Sequence, residues 1–279
     1  MSPSSRLNKH NNRRLNHGGR GAALIAGLLL AWMSPLYAAK DATDVILCAQ
    51  KNVPPVSWQR IQLSTRDAQG ALQTLNAEVF AKRHEDGGVR VLVRVTAPKD
   101  LEGASFLLLN NQPKNDVYLY LPAFGKVRQV TRDMVSGPVL GTDLSYEDFE
   151  RLYGLSFKST LNRIDDEEVD QHKSYVLEGT PPADAEVPYS RVLIYVDQET
   201  CVPLKTEVFS GGDTPSHVIS AVADRISHDN HYWIPREITV KNVEQQRETR
   251  LVVEQLQIEP ALDEQIFEPQ NLNTAPASP

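Results

Sequence analysis

Residues 88–98 read GVRVLVRVTAP, with Val89, Val91, Val93 and Val95 on one side of an extended chain and Arg90, Arg94 and Thr96 mostly on the other. Alternation with a period of two is the signature of an antiparallel strand with one buried face. A helix repeats at 3.6 residues and cannot sort these side chains. The same pattern recurs in VSWQRIQLSTRD, ALQTLNAEVFAKRH, SFLLLNN, DVYLYLP, KVRQVTR, SYVLEGTP, YSRVLIYVD, VPLKTEVFS, SHVISAVADRISHD, HYWIPREITVKN and QRETRLVVEQLQIEP. Turn formers such as AQG and EDGG stand between the early runs. The count is about eleven strands, about 10–15 residues apart, with no helix between most of them. SFLLLNN and DVYLYLP are apolar on both faces, so both are expected mid-sheet.

A single antiparallel sheet of this length must curl, close or split into a sandwich. The chain is therefore read as mainly β: one large curled sheet, an open half-barrel of about eleven strands, with short helices covering its concave face. Three short helical segments are expected. DATDVILCAQKN (41–52) has a narrow apolar side of Val45, Ile46, Cys48 and Ala49 and ends at Pro54 and Pro55. LDEQIFEP (262–269) suggests a last turn, followed by NLNTAPASP (271–279) as a disordered end. These helices are too small to fill an apolar trough, which leaves room for a ligand.

The third helix lies in DMVSGPVLGTDLSYEDFERL (133–152), far longer than a simple connection requires. Gly137, Pro138 and Gly141 make a flexible lead-in, and Ser145 stands three residues before Asp148 as an N-cap. Tyr146, Phe149, Leu152 and Tyr153 then form one apolar face. So short a helix is marginal alone and must lean on the sheet. The segment is read as a movable cover over the concave side, carried by Tyr146, Phe149, Leu152 and Tyr153. The candidate cavity floor is Val91, Val93, Leu119 and Leu121.

The first 39 residues are set apart from the fold. Arg6, Lys9, Arg13, Arg14 and Arg20 precede the apolar run AALIAGLLLAWM (22–33), and SPLYAAK supplies small residues for cleavage near Ala38 or Ala39. That is the pattern of a cleaved secretory signal peptide, and the run is short of the roughly 20 residues of a spanning helix. Cleavage would remove five of the 29 Lys and Arg and none of the 36 Asp and Glu, leaving 24 against 36, a net charge of −12. A chain this acidic, without a basic stripe, excludes nucleic acid as an expected partner.

Two cysteines remain, Cys48 and Cys201. In an exported chain an even count favours a disulfide, and two free buried thiols are the alternative. Catalytic motifs are absent: there is no G-x-S-x-G, H-E-x-x-H, C-x-x-C or P-loop. SHDNHYW (227–233) offers an Asp229-Asn230 turn with His228 and His231 opposite each other, but zinc needs a third protein ligand. IDDEEVDQH (164–172) lacks the glycine and ligand spacing of a calcium loop and reads as a solvated hairpin tip. No metal, cofactor or enzymatic activity is expected.

VYLYLPAFGKVRQV (117–130), SGPVLGTDLSYEDF (136–149) and DQETCVPLK (197–205) resemble the outer-membrane lipoprotein-sorting protein family, in its LolA/LolB-like periplasmic branch. The resemblance spans most of residues 41–270, so the domain is bounded as 40–270 between signal and tail. It implies an eleven-stranded half-barrel whose helices lie over the concave face and enclose a cavity for acyl chains. It further implies a monomeric periplasmic carrier of lipid or lipoprotein, with an inner-membrane RND-type exporter as partner. A sensor or adaptor on the same fold, without transfer activity, is the competing expectation.

Overall fold

The computed structural model describes residues 40–279 except 84–87, 111–114, 132–136, 154–158, 183–186, 188 and 277. The expected signal peptide, residues 1–39, lies outside the described residues. A helix α1 (Ala42–Gln50) opens the domain, capped by Asp41, whose side chain accepts from the Asp44 amide while Asp44 bonds back. Six strands then follow as a meander: β1 (Val56–Arg66), β2 (Leu72–Arg83), β3 (Val89–Ala97), β4 (Ser105–Asn110), β5 (Asn115–Leu121) and β6 (Lys126–Gln129). A second meander comprises β7 (Thr160–Val169), β8 (His172–Thr180), β9 (Arg191–Asp197), β10 (Pro203–Phe209) and β11 (His217–Ala221). A hairpin of β12 (Ile226–Asp229) and β13 (Tyr232–Pro235) leaves the sheet, and β14 (Glu237–Asn242) and β15 (Arg247–Ile258) return to it.

β15 pairs with β1 and so joins the two meanders into one antiparallel sheet, ordered β6-β5-β4-β3-β2-β1-β15-β14-β11-β10-β9-β8-β7. The sheet is open, with β6 and β7 as its edges. Among the described residues it has 13 strands, not eleven. β7 escapes the alternation rule because it is an exposed edge, and its run of carboxylates hides the period. Charged side chains are what protects a free edge from pairing with another chain. The acidic segment 164–172 is accordingly mostly strand, and only Asp170 and Gln171, both at positive φ, make the turn. DVYLYLP is also not central: β5 lies one strand from the β6 edge. SHVISAVADRISHD and HYWIPREITVKN each divide in two, because a 3-10 turn at Ala223–Arg225 and the Pro235 boundary lift β12 and β13 out of the sheet.

The two faces of the first meander are filled differently. Val79, Val93 and Phe106 are paired across β2, β3 and β4 and belong to the large inner cluster. Trp58, Phe80, Leu92 and Leu107 pair across β1 to β4 on the other face. That outer row is covered by Phe267 and Leu272 of the C-terminal segment. Leu272, expected in a disordered tail, is only 1% exposed, and its carbonyl accepts from Arg94 Nη1 at 3.3 Å. An apolar residue at a chain end is held wherever apolar surface remains to be covered.

The topology explains the long segment after β6. β6 and β7 are opposite edges of the sheet, so the chain has to pass from one edge to the other. The described part of this connection, with α2 (Tyr146–Leu152), packs in the inner cluster through Val139, Leu144, Tyr146, Phe149 and Tyr153.

Candidate functional site

α2 is built as its sequence suggests. Ser145 Oγ accepts from the Asp148 amide at 3.1 Å, and Asp148 Oδ2 accepts from the Ser145 amide at 2.8 Å, a reciprocal cap. Asp148 also accepts from Arg151 Nη1 at 2.8 Å, an i to i+3 pair within the helix. Tyr146 and Phe149 each meet the Phe106 ring edge-on, at centroid separations of 5.1 and 5.0 Å. Burial pushes the hydroxyl pKa of Tyr146 and Tyr153 upward.

The described part of the lead-in, 137–144, forms a turn docked on the sheet. The Val139 amide donates to Leu144 O at 2.8 Å, and Leu140 and Gly141 take positive φ between them. Asp143, 5% exposed, anchors the turn to the sheet. Its Oδ2 accepts from Thr249 Oγ1 at 2.9 Å, its amide donates to the same hydroxyl at 2.9 Å, and Oδ1 lies 3.0 Å from Arg247 Nε. His217 Nε2 donates to the Asp143 carbonyl at 2.9 Å and Arg247 Nη2 to the Gly141 carbonyl at 2.6 Å. Glycine and proline announced a bend, and the buried polar anchor beneath it came from strands about 75 and 105 residues away, beyond the reach of local pattern.

A second wall comes from α1. Val45, on its inner side, is fully buried against Leu177, Val192, Ile194 and Val196 of β8 and β9. Cys48 is disulfide-bonded to Cys201, with 5.6 Å between Cα atoms, as expected. Asp197 Oδ2 accepts from the amide and hydroxyl of Thr200, which folds the turn that presents Cys201. Beyond α1, Asn52 donates to Thr200 O at 2.6 Å and accepts from the Trp233 amide at 3.0 Å. One side chain thus links the disulfide turn to the β12–β13 hairpin.

Inside these walls is an apolar cavity of about 430 Å³, in the size range of small-molecule sites. Ile61 and Val79 floor it from the first meander, with Leu251, Val253, Ile238 and Ile219 from the middle of the sheet. Leu177, Ile194, Val196 and Val202 continue the floor, while Ile46 and Ala49 of α1 and Trp233, Ile234 and Pro235 of the hairpin enclose it. Strands β2 and β8 stand seven positions apart in the sheet order, about 34 Å if the sheet were flat at about 4.8 Å per strand. Both reach one cavity, so the sheet curls strongly. Bulges at Arg60/Ile61, Asn76/Ala77 and Pro203/Lys205 supply bends of the kind curling needs.

Of the residues assigned to the cover, Phe149, Leu152 and Tyr153 line the cavity, but Tyr146 does not. The proposed floor is corrected more fully. Val91, Val93, Leu119 and Leu121 do belong to the inner cluster, yet none bounds the cavity. Phe106 lies beside Val93 and Leu119 on that face, and Tyr146 and Phe149 pack on its ring in the same cluster. The real floor lies further along the sheet, where alternation in YSRVLIYVD and QRETRLVVEQLQIEP marked inward residues without saying which trough they shared. His228 and His231 are not opposed: the turn falls on Asn230 and His231, and His228 stacks on Trp233 at 4.3 Å. Asn230 at φ 54° fixes that register, one residue from the expected one.

An open, strongly curled antiparallel sheet with an apolar cavity under α1, α2 and a hairpin defines a LolA-like half-barrel, and solved structures agree. The chain is similar to an outer membrane lipoprotein-sorting protein domain from Vibrio parahaemolyticus at 23% identity and TM-score 0.73, over 82% of this chain and 97% of that one. A DUF1329 family protein from Desulfovibrio piger aligns at 21% identity and TM-score 0.74, over 82% and 96%. A LolA superfamily protein from Nitrosomonas europaea aligns at 18% identity and TM-score 0.64, over 82% and 98%. A family model described as "Uncharacterized protein" matches residues 87–274, and the chain belongs to that family. No protein of curated function matches the sequence.

Proposed function

We propose that this protein binds the acyl chains of a lipid or lipoprotein in the half-barrel cavity and ferries them across the periplasm toward the outer membrane. The observation that carries the reading is the cavity itself: about 430 Å³, walled mainly by aliphatic and aromatic side chains. Burying an acyl chain contributes about 0.8 kcal/mol per CH₂, so a sixteen-carbon chain gains on the order of 10 kcal/mol. Such binding needs no catalytic group, and the protein is read as a carrier without chemistry. The N-terminal signal pattern supports the compartment, and the resemblance to lipoprotein-sorting proteins supports the cargo; an inner-membrane RND-type exporter is the partner proposed with it.

Gently purified protein should carry acyl lipid in native mass spectrometry. It should also move a fluorescent acyl lipid from donor to acceptor vesicles in proportion to its concentration. Protein that is empty and binds no acyl probe would refute the reading. Binding without transfer would leave the cavity and remove the carrier, in favour of a sensor or adaptor.

A further inference from the structure

The cavity has a polar lining that hydrocarbon alone does not require. Among the described residues its only charged side chain is Arg151, already held by Asp148 at 2.8 Å, with side-chain exposures of 16% and 5%. Asn52 is committed to Thr200 and Trp233, and the Ser159 hydroxyl lies 3.2 Å from the Tyr189 hydroxyl. The Thr206 hydroxyl and two carboxamides have no such partner among the described residues. Gln50, the last residue of α1, and Gln59, on the β1 face that also carries Ile61, both line the cavity and are half-buried. Neither side chain hydrogen-bonds to another described residue. Val53 and Pro54, in the connection between α1 and β1, line the cavity as well, so this stretch of wall alternates apolar contact with open amides.

We infer that the acyl chain taken by this cavity ends in an uncharged ester or amide linkage that Gln50 and Gln59 hydrogen-bond, and that ionised carboxylates are excluded. The inference rests on the acyl-chain reading above and narrows it. A carboxamide both donates and accepts, so it satisfies an ester carbonyl through its NH₂ and an amide N–H through its oxygen. A fatty carboxylate finds no cation among the described lining residues but Arg151, whose charge the buried Asp148 already offsets. An unpaired carboxylate taken into an apolar site bears a desolvation cost that a neutral ester does not. Left empty of ligand polar groups, the two glutamines would face hydrocarbon unsatisfied. Glycerolipids present this linkage chemistry, and so do the acylated N-termini of lipoproteins.

The test is displacement of the neutral dye N-phenyl-1-naphthylamine from the purified protein at about pH 8, where a fatty carboxylate is ionised. The competitors are monopalmitoylglycerol, a palmitoylated cysteinyl peptide, and palmitate. At least one of the neutral-linkage ligands should displace the dye at a concentration about tenfold or more below that of palmitate. Whichever does so names the source, lipid or lipoprotein. In the Q50L/Q59L variant dye binding should persist, while the effective neutral ligand should weaken about tenfold, the scale of one or two lost hydrogen bonds. Palmitate competing as well as both neutral ligands would overturn the inference, as would a variant that binds the neutral ligand unchanged. If neither the dye nor any of the three ligands binds, the acyl-chain reading falls, and this inference with it.

Discussion

Phe149→Ala separates the two things α2 does. Phe149 is 3% exposed, meets Phe106 edge-on at 5.0 Å, and turns another part of its ring to the cavity. A fully enclosed phenylalanine costs about 3–5 kcal/mol when truncated to alanine. Phe149 is packed by protein on only part of its surface, so roughly 2–3 kcal/mol is expected. At about 2–4 °C per kcal/mol for a domain of this size, the melting midpoint should fall by roughly 4–12 °C. Phe106→Ala is the internal reference. Phe106 is fully buried, carries both Tyr146 and Phe149, and does not line the cavity. It should cost about 4–5 kcal/mol, with the cavity wall intact wherever the protein stays folded. Phe149→Ala should in addition weaken an acyl probe by about five- to thirtyfold, from about 1–2 kcal/mol of lost contact. Urea unfolding and probe titration on the two variants give both quantities. If Phe149→Ala destabilises as much as Phe106→Ala and leaves probe affinity unchanged, Phe149 is core alone and α2 is no part of a ligand site.

Three other perturbations bear on the walls. Cys48→Ser should remove stabilisation on the order of 5 kcal/mol, the chain-entropy value for a bridge spanning 153 residues, and alkylation without reductant should label neither thiol of the wild type. Asp143→Ala strips the docked turn of its bonds to Thr249 and its partner charge at Arg247, and should cost about 2–4 kcal/mol by chemical denaturation. Tyr146 and Tyr153 have raised folded-state pKa values, so their contribution is intact below the ordinary tyrosine pKa near 10 and is lost as pH rises beyond it. Replacing both with phenylalanine should flatten the alkaline fall in stability between about pH 10 and 12, measured by urea midpoints across pH. An unchanged alkaline limb would show that these hydroxyls are solvated.

The sequence by itself determined the local and the binary. Alternation named the strands, because a half-buried strand must sort its side chains every second residue. Ser145 with Asp148 announced a helix start, because the unpaired amides of a first turn need acceptors nearby in the chain. The single possible pairing of Cys48 with Cys201 was legible from a count of two. Where the cavity lies was decided only in three dimensions. Val91 and Val93 are as inward and as aliphatic as Ile194 and Val196, yet the former pair shares a packed cluster with Phe106 and α2 while the latter lines the cavity. That difference depends on which part of the sheet the β6-to-β7 crossing covers, and on β15 closing against β1 almost 200 residues away in sequence. Strand β7 and the buried anchor at Asp143 share the same cause. Each is set by pairing between distant strands or by a sheet edge, and a one-dimensional pattern carries face and period but not neighbour.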